Sequence, residues 1–145
     1  MKLAIVRIRK GEPNPTARTT LECMKLTRIN NCIIIPDTKI YLGMLQAIKD
    51  YVTWGPVSED GMMAILPRAK PVGMTLEEYL KKNKKSLKDI SSALLTDKSL
   101  KELGLSQTIG LHPPRGGHKS VKRAYPKGAL GNRKDAINKL LVRMR

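Results

Sequence analysis

Apolar residues recur along the chain in two rhythms, and the changes of rhythm mark the elements. Lys2 to Arg9 opens β-branched and apolar, then alternates, with Val6 and Ile8 set against Arg7 and Arg9. This predicts a strand with one face toward solvent. Gly11-Glu12-Pro13-Asn14-Pro15 breaks the chain, and Thr16 is placed to cap a helix whose Ala17, Leu21 and Met24 repeat at i, i+4 and i+7. Cys32-Ile33-Ile34-Ile35 is an uninterrupted apolar run ended by Pro36-Asp37, which fits a central strand covered on both faces. Asp37 or Thr38 can cap the next helix. Its stripe of Tyr41, Met44, Leu45, Ile48, Tyr51 and Val52 is the clearest helical period in the chain. Thr53-Trp54-Gly55-Pro56-Val57 reads as a third strand, so the order strand, helix, strand, helix, strand predicts an α+β layer with helices on one face of a small sheet.

From Ser58 the texture shifts to short helical pieces. Ser58 precedes Glu59 and Asp60, Thr75-Leu76-Glu77-Glu78 is a capping box, and Ser86-Leu87-Lys88-Asp89 is a similar start signal. Pro67 and Pro71 separate the first two pieces, and Leu87, Ile90, Leu94 and Leu95 give the third a buried stripe. Gly104 is placed to end a fourth helix over Lys98 to Leu103. Ser106 to Leu111 supplies material for one more strand. Ala136, Ile137, Leu140, Leu141 and Met144 then form a terminal amphipathic helix.

Charge changes this picture from a plain globular chain to one with a partner. The 145 residues carry 28 Lys and Arg against 12 Asp and Glu, a net +16. Such an excess repels itself unless a polyanion neutralises it, and nucleic acid is the obvious candidate. Residues 1–57 hold 9 basic and 4 acidic groups, residues 58–111 hold 9 and 7, and residues 112–145 hold 10 and 1, so the excess sits in the last segment. There His112, Pro113, Pro114, Arg115, Gly116, Gly117, His118 and Lys119 are followed by Lys122, Arg123, Lys127, Arg133 and Lys134. Glycines let backbone approach a surface, prolines hold the chain extended, and the interleaved cations match a row of phosphates. With few apolar groups, this tail is expected to order only on its partner, with Leu111 to Pro114 and Ala129 to Leu130 as anchors. An ordinary disordered basic tail is the alternative. For Lys81, Lys82, Lys84 and Lys85 the choice stays open between a solvated helix end and an RNA contact.

Other chemistry finds little support. With no Phe, one Trp and four Tyr, stacking on unpaired bases lacks platforms, so recognition is expected to use phosphates, sugars and RNA shape. The second helix adds a possible phosphate site at its start, near Thr38 to Gly43, through unpaired backbone amides. His112 and His118 are the only imidazoles and have no carboxylate beside them in sequence, which argues against an enzyme. Cys23 and Cys32 lie nine apart without CxxC pairing, so no metal site, cofactor or disulfide is expected, and both read as small buried residues in a reducing cytosol. No membrane span or secretory signal is expected, and the terminal helix lacks the Trp or Phe of an interfacial one.

The blocks Leu3 to Arg9, Asn30-Asn31-Cys32 through Ile35-Pro36-Asp37-Thr38, Tyr51-Val52-Thr53-Trp54-Gly55, Leu111-His112-Pro113-Pro114-Arg115-Gly116-Gly117 and Gly128-Ala129-Leu130-Gly131 stand in a specific joint order. In that order they resemble the archaeal form of the ribosomal large-subunit protein L-thirty family, called L-seven in the eukaryotic cytoplasmic ribosome. The resemblance covers nearly the whole chain. It implies a ferredoxin-like strand-helix-strand-helix-strand core over residues 1–57, a helical extension over 58–111 and a basic RNA-binding tail over 112–145. It further implies a structural constituent of the large ribosomal subunit, in the cytoplasm, binding large-subunit rRNA near the five-S rRNA and beside neighbouring ribosomal proteins, with no small-molecule substrate. Carried over by position, the implied RNA contacts are Arg7, Arg9, Lys10, Arg28, Tyr41, Gly43, His112, Arg115, Gly116, Gly117 and Lys119. Where the family often has Tyr-Arg-Gly-Met at the start of the second helix, this chain has Tyr41-Leu42-Gly43-Met44, which leaves the helix amides or Lys39 to serve there. A free nucleic-acid-binding or chromatin-type regulator is the competing expectation.

Overall fold

The computed structural model describes residues 1–11, 13–84, 86–96 and 98–145; Glu12 of the expected chain break and Lys85 of the lysine group lie outside them. Five strands form one sheet in the order β4-β2-β1-β3-β5 among the described residues. β1 (Lys2–Arg7) pairs antiparallel with β2 (Asn31–Pro36), Ile5 opposite Ile33, and with β3 (Val52–Pro56), Ile5 opposite Trp54. The two neighbours of β1 are therefore parallel to each other, and the helix between them carries the chain back along the sheet. β4 (Thr108–Gly110) lies antiparallel to β2, and β5 (Gly131–Asn132) runs parallel to β3 with Gly131 opposite Thr53.

The strand-helix-strand-helix-strand core and the α+β class are as expected, but two details differ. All six residues of β1 are buried, so no face of this strand meets solvent. Nor do the helices keep to one face. Leu3, Ile5, Ile33, Ile35, Val52 and Trp54 pack with Ala17 and Leu21 of α1 (Pro15–Cys23) and with Leu45 and Ile48 of α2 (Lys39–Ile48). Ala4, Val6, Cys32 and Ile109 face the other way, onto α3 (Glu59–Ile65), α5 (Leu87–Thr96) and α6 (Ala136–Arg143). Alternation along a strand cannot reveal that its second face is covered as well, here by segments far along the chain. Each Leu or Ile fully removed from water in these layers is worth about 1.5–3 kcal/mol.

Local start signals perform largely as read. The Thr38 hydroxyl accepts the Tyr41 amide, and the Ser58 hydroxyl accepts that of Gly61. In α4 (Leu76–Asn83) Thr75 and Glu78 complete a reciprocal capping box. Ser86 and Asp89 do the same for α5. Helix α1 instead starts one residue before the expected Thr16 cap, because Pro15 occupies the first helical position, where its fixed φ and missing N–H cost nothing. α2 ends at Ile48, so Tyr51 lies beyond it and Val52 opens β3. The helix expected over Lys98 to Leu103 is only a turn: Gly104 at φ 71° closes it, and Leu105 bridges back to Pro71.

The stretch before the terminal helix, expected to order only on a partner, is already fastened to the protein, and the terminal helix docks into the core. Ile137, Leu140, Leu141 and Met144 are buried against α3 and the sheet, and the anchors Leu111, Pro114, Ala129 and Leu130 are buried as expected. Asn138 fastens the helix: its Oδ1 accepts the Ser58 amide at 2.9 Å, and its Nδ2 donates to Pro56 O at 3.2 Å. The backbone entering α6 approaches β3 so closely that a Cβ at Gly55 would stand 2.4 Å from Lys134 O and 3.0 Å from Ile137. Four apolar residues on one helical stripe provide the burial that composition alone conceals.

Candidate RNA interface

Antiparallel pairing decides which loops share an end of the sheet. β1 leaves at Arg7, opposite Val52 where β3 enters, and β2 begins at Asn31 on the same side. β4 exits there too, since Gly110 faces Asn31, and the Leu111 amide donates to Asn30 O. Arg9, Lys10, Arg28 and the loop that opens at His112 therefore gather at one end, and the chain later crosses toward the other, where Lys134 lies beside Gly55 and Asn138 beside Pro56. The small cluster of Ile8, Ala129 and Leu130 welds the exit of β1 to the tail, and Thr53 Oγ1 donates to Gly131 O at 2.9 Å. Lys39, Tyr41 and Gly43 sit at the start of α2, which follows the opposite end of β2 at Pro36. The structure separates these three from the rest. Ile40 and Leu42 are exposed there, so the missing Arg leaves an apolar surface.

Arg7 is used internally. It is buried, and its Nη1 donates to Leu26 O and Thr27 O, each at 2.7 Å, tying the loop before β2 to the strand. Burial lowers its pKa, with Tyr51 acting in the opposite sense. Arg9 lies over the Tyr51 ring at 5.7 Å, partly exposed, while Lys10 and Arg28 are exposed.

The His112–Lys119 loop is a built feature. The His112 amide donates to Met144 O and the Arg115 amide to Arg143 O, so the loop is stitched to the end of α6. The Gly117 amide donates to Pro114 O with Gly116 at φ 79°, the third position of a type II turn that only a residue free of Cβ strain adopts readily. Arg143 completes the clamp, its Nε and Nη2 donating at 2.9 Å to Arg115 O and Gly117 O. The Arg115 side chain and Lys119, Lys122, Arg123, Lys127 and Lys134 are left facing solvent. Arg133 is half-buried, donating to Thr53 Oγ1 at 3.0 Å and Ala129 O at 2.9 Å and lying over Tyr125 at 5.5 Å.

Neither Arg143 nor Tyr125 stood out in the sequence. Arg143 follows the apolar stripe of α6 like any surface cation, and Tyr125 is an isolated aromatic; only the folded loop gives them partners. Among the described residues no cluster of His, Cys, Asp or Glu is placed to hold a metal, and no helix is long and apolar enough to cross a membrane.

A rigid, cation-lined end of a sheet, with backbone loops presented by glycine and proline, suits contact with sugar-phosphate backbone. The comparisons with known proteins point the same way. Residues 3–52 match the family model described as ribosomal protein L30p/L7e. The large ribosomal subunit protein uL30 of Methanosphaera stadtmanae is 38% identical over 97% of this chain and 98% of its own length. The chain belongs to the L30p/L7e family. The uL30 proteins of Methanocella arvoryzae and Archaeoglobus fulgidus are 37% and 36% identical, each over 98% of this chain and 99% of their own. L30p/L7e membership thus extends well past the matched core, through the extension and the tail, so the basic end of the sheet lies within the shared length.

Proposed function

We propose that this chain, a structural constituent of the large ribosomal subunit working in the cytoplasm, binds and positions large-subunit rRNA through the basic end of its sheet. The observation that carries the reading is the gathering there of Arg9, Lys10, Arg28 and the exposed cations from Arg115 to Lys127. Three acids of the middle segment are engaged in caps: Glu78 on Thr75, Asp89 on Ser86 and Glu102 on Ser99. A position near the five-S rRNA and contacts with neighbouring ribosomal proteins are supported by the family resemblance alone. The reading assigns no catalysis; what supports this is that neither imidazole is paired with a carboxylate among the described residues.

The test is sedimentation with large subunits after a moderate salt wash. Recovery only in the free soluble fraction, or equal affinity for arbitrary DNA duplexes, would overturn the proposal in favour of a free nucleic-acid binder. Six to ten phosphate contacts predict a loss of roughly 10³ to 10⁵ in affinity between 50 and 200 mM salt. Replacing Lys119, Lys122, Arg123 and Lys127 with Gln tests the surface without uncovering α3, which removal of residues 112–145 would do. The logarithmic salt slope should fall by roughly 3 units.

A further inference from the structure

Between the Gly116–Lys119 loop and α6 lies a cleft of about 340 Å³, lined among others by His118, Tyr125, Arg133, Leu140 and Arg143. Three observations on it converge. Two guanidinium groups line it, each held by two of its nitrogens on protein oxygens, Arg133 on Thr53 and Ala129 and Arg143 on Arg115 and Gly117, and neither has a carboxylate partner among the described residues. Fixed in this way, the cations have little side-chain entropy left to lose when a ligand arrives. Next, His118 Nδ1 is buried there with no hydrogen-bond partner among the described residues, an arrangement that is costly unless something completes it. Last, the charges repel one another: burial, then Arg133, then Arg143 lower the pKa of His118, and Arg143 also acts to lower that of Arg133. A neutral occupant could complete His118 Nδ1 but would leave the repulsion between the charges, and a cationic one would add to it. An anion with several acceptor oxygens would relieve all of it.

We infer that this cleft is a phosphate subsite, seating one backbone phosphate of an RNA strand against Arg133, Arg143 and His118, with Tyr125 at the rim beside the adjoining nucleoside. The inference rests on the proposed rRNA binding and adds to it a specific seat. A cleft of this volume is at the small end of ligand pockets, larger than one phosphate needs and of the size of a nucleotide unit. Tyr125 is 41% exposed, and it is the aromatic residue that lines the cleft. The remaining cations on the surrounding surface, Arg115 and Lys119, face solvent and extend the field along a strand leaving the cleft.

The experiment follows the imidazole resonances of the full chain by NMR against pH, alone, with inorganic phosphate and with a short single-stranded RNA, His112 serving as the reference outside the cleft. Phosphate should raise the His118 titration midpoint, because a bound anion favours the imidazolium, and should leave His112 nearly unmoved. The RNA should produce the same shift and displace the phosphate. Arg133→Gln should weaken phosphate binding roughly tenfold or more. Because that change also removes the bond to Thr53, Arg143→Lys, checked for an unchanged fold, provides a second variant with the same expected loss. A phosphate response that RNA does not reproduce would overturn the strand assignment. No response of His118 to either, in a chain that still sediments with large subunits, would overturn the subsite and leave the proposed function standing. Loss of sedimentation would instead count against the function itself.

Discussion

Gly55→Ala tests the claim that the basic tail belongs to the core. The added methyl would stand 2.4 Å from the backbone oxygen of Lys134 and 3.0 to 3.1 Å from two carbons of Ile137. A carbonyl oxygen at the entry to α6 cannot swing aside like the tip of a long side chain. Either β3 or the 134–137 backbone must shift, and overpacking of this kind costs about 1–3 kcal/mol. With unfolding entropies of about 2.1 cal/mol/K per residue, a chain of 145 residues loses roughly 3 °C in Tm per kcal/mol, so the expected drop is about 3–10 °C. Calorimetry or far-UV circular dichroism on heating reads it directly. Hydrogen exchange should also accelerate in α6 more than in α1, which packs on the opposite face. A Tm within about 1 °C of the parent, with α6 protection unchanged, would refute the docking of the tail described above.

Four further outcomes are expected. Arg7→Gln should cost about 1–3 kcal/mol in urea denaturation by leaving Leu26 O and Thr27 O unpaired, yet leave the salt slope of RNA binding unchanged; a flattened slope would make Arg7 a phosphate contact. Lowering of the His118 pKa means that between that value and about 6.5 the unfolded chain carries the extra proton. Its stabilising contribution is therefore full above about 6.5 and is lost as pH falls through this window. Denaturation at pH 7.5 and 5.5 should show the parent losing more stability than His118→Gln, and equal losses would contradict the burial of that ring. Burial pushes the Cys32 thiol up to about 12 while Cys23 is exposed, so iodoacetamide at pH 8 should label one cysteine in the native chain and two in urea. Asn138→Ala, which frees the Ser58 amide and Pro56 O, should lower stability by about 1–3 kcal/mol, readable as a shifted urea midpoint.

What the sequence reveals here is mainly what is local. Capping hydroxyls bond within three residues of themselves, so Thr38, Ser58 and Thr75 could be read from their neighbours, and the long period of α2 and the apolar run of β2 were equally plain. Covering of the second face was not, because it depends on Met62, Ile90 and Ile137 meeting Ala4 and Val6 across most of the chain. The same holds for the interface. Its cations were visible as composition, but that Arg9 and Arg28 share an end with Arg115, and that Lys39 does not, follows only from strand direction. Arg7 shows the limit most clearly. A cation in an alternating strand reads as solvent-facing, and only the loop at Leu26 and Thr27, folded beneath it, turns it into a structural fastening. Asn138 and Arg143 carry no periodic signature at all, since their partners are backbone atoms fixed by tertiary structure.

The stitching of His112 and Arg115 to Met144 and Arg143 also has a consequence for synthesis. A chain emerging from a ribosome can form β1, α1, β2, α2 and β3 early, yet the face formed by α3 and the even-numbered residues of β1, which α5 covers in part, is not closed until Ile137 to Met144 have been translated. The loop that presents Arg115 has nothing to fasten to before then. A polypeptide interrupted before α6 would thus carry most of the positive charge without the surface that arranges it. Docking of α6 and the shaping of the basic loop are, in this fold, the same event.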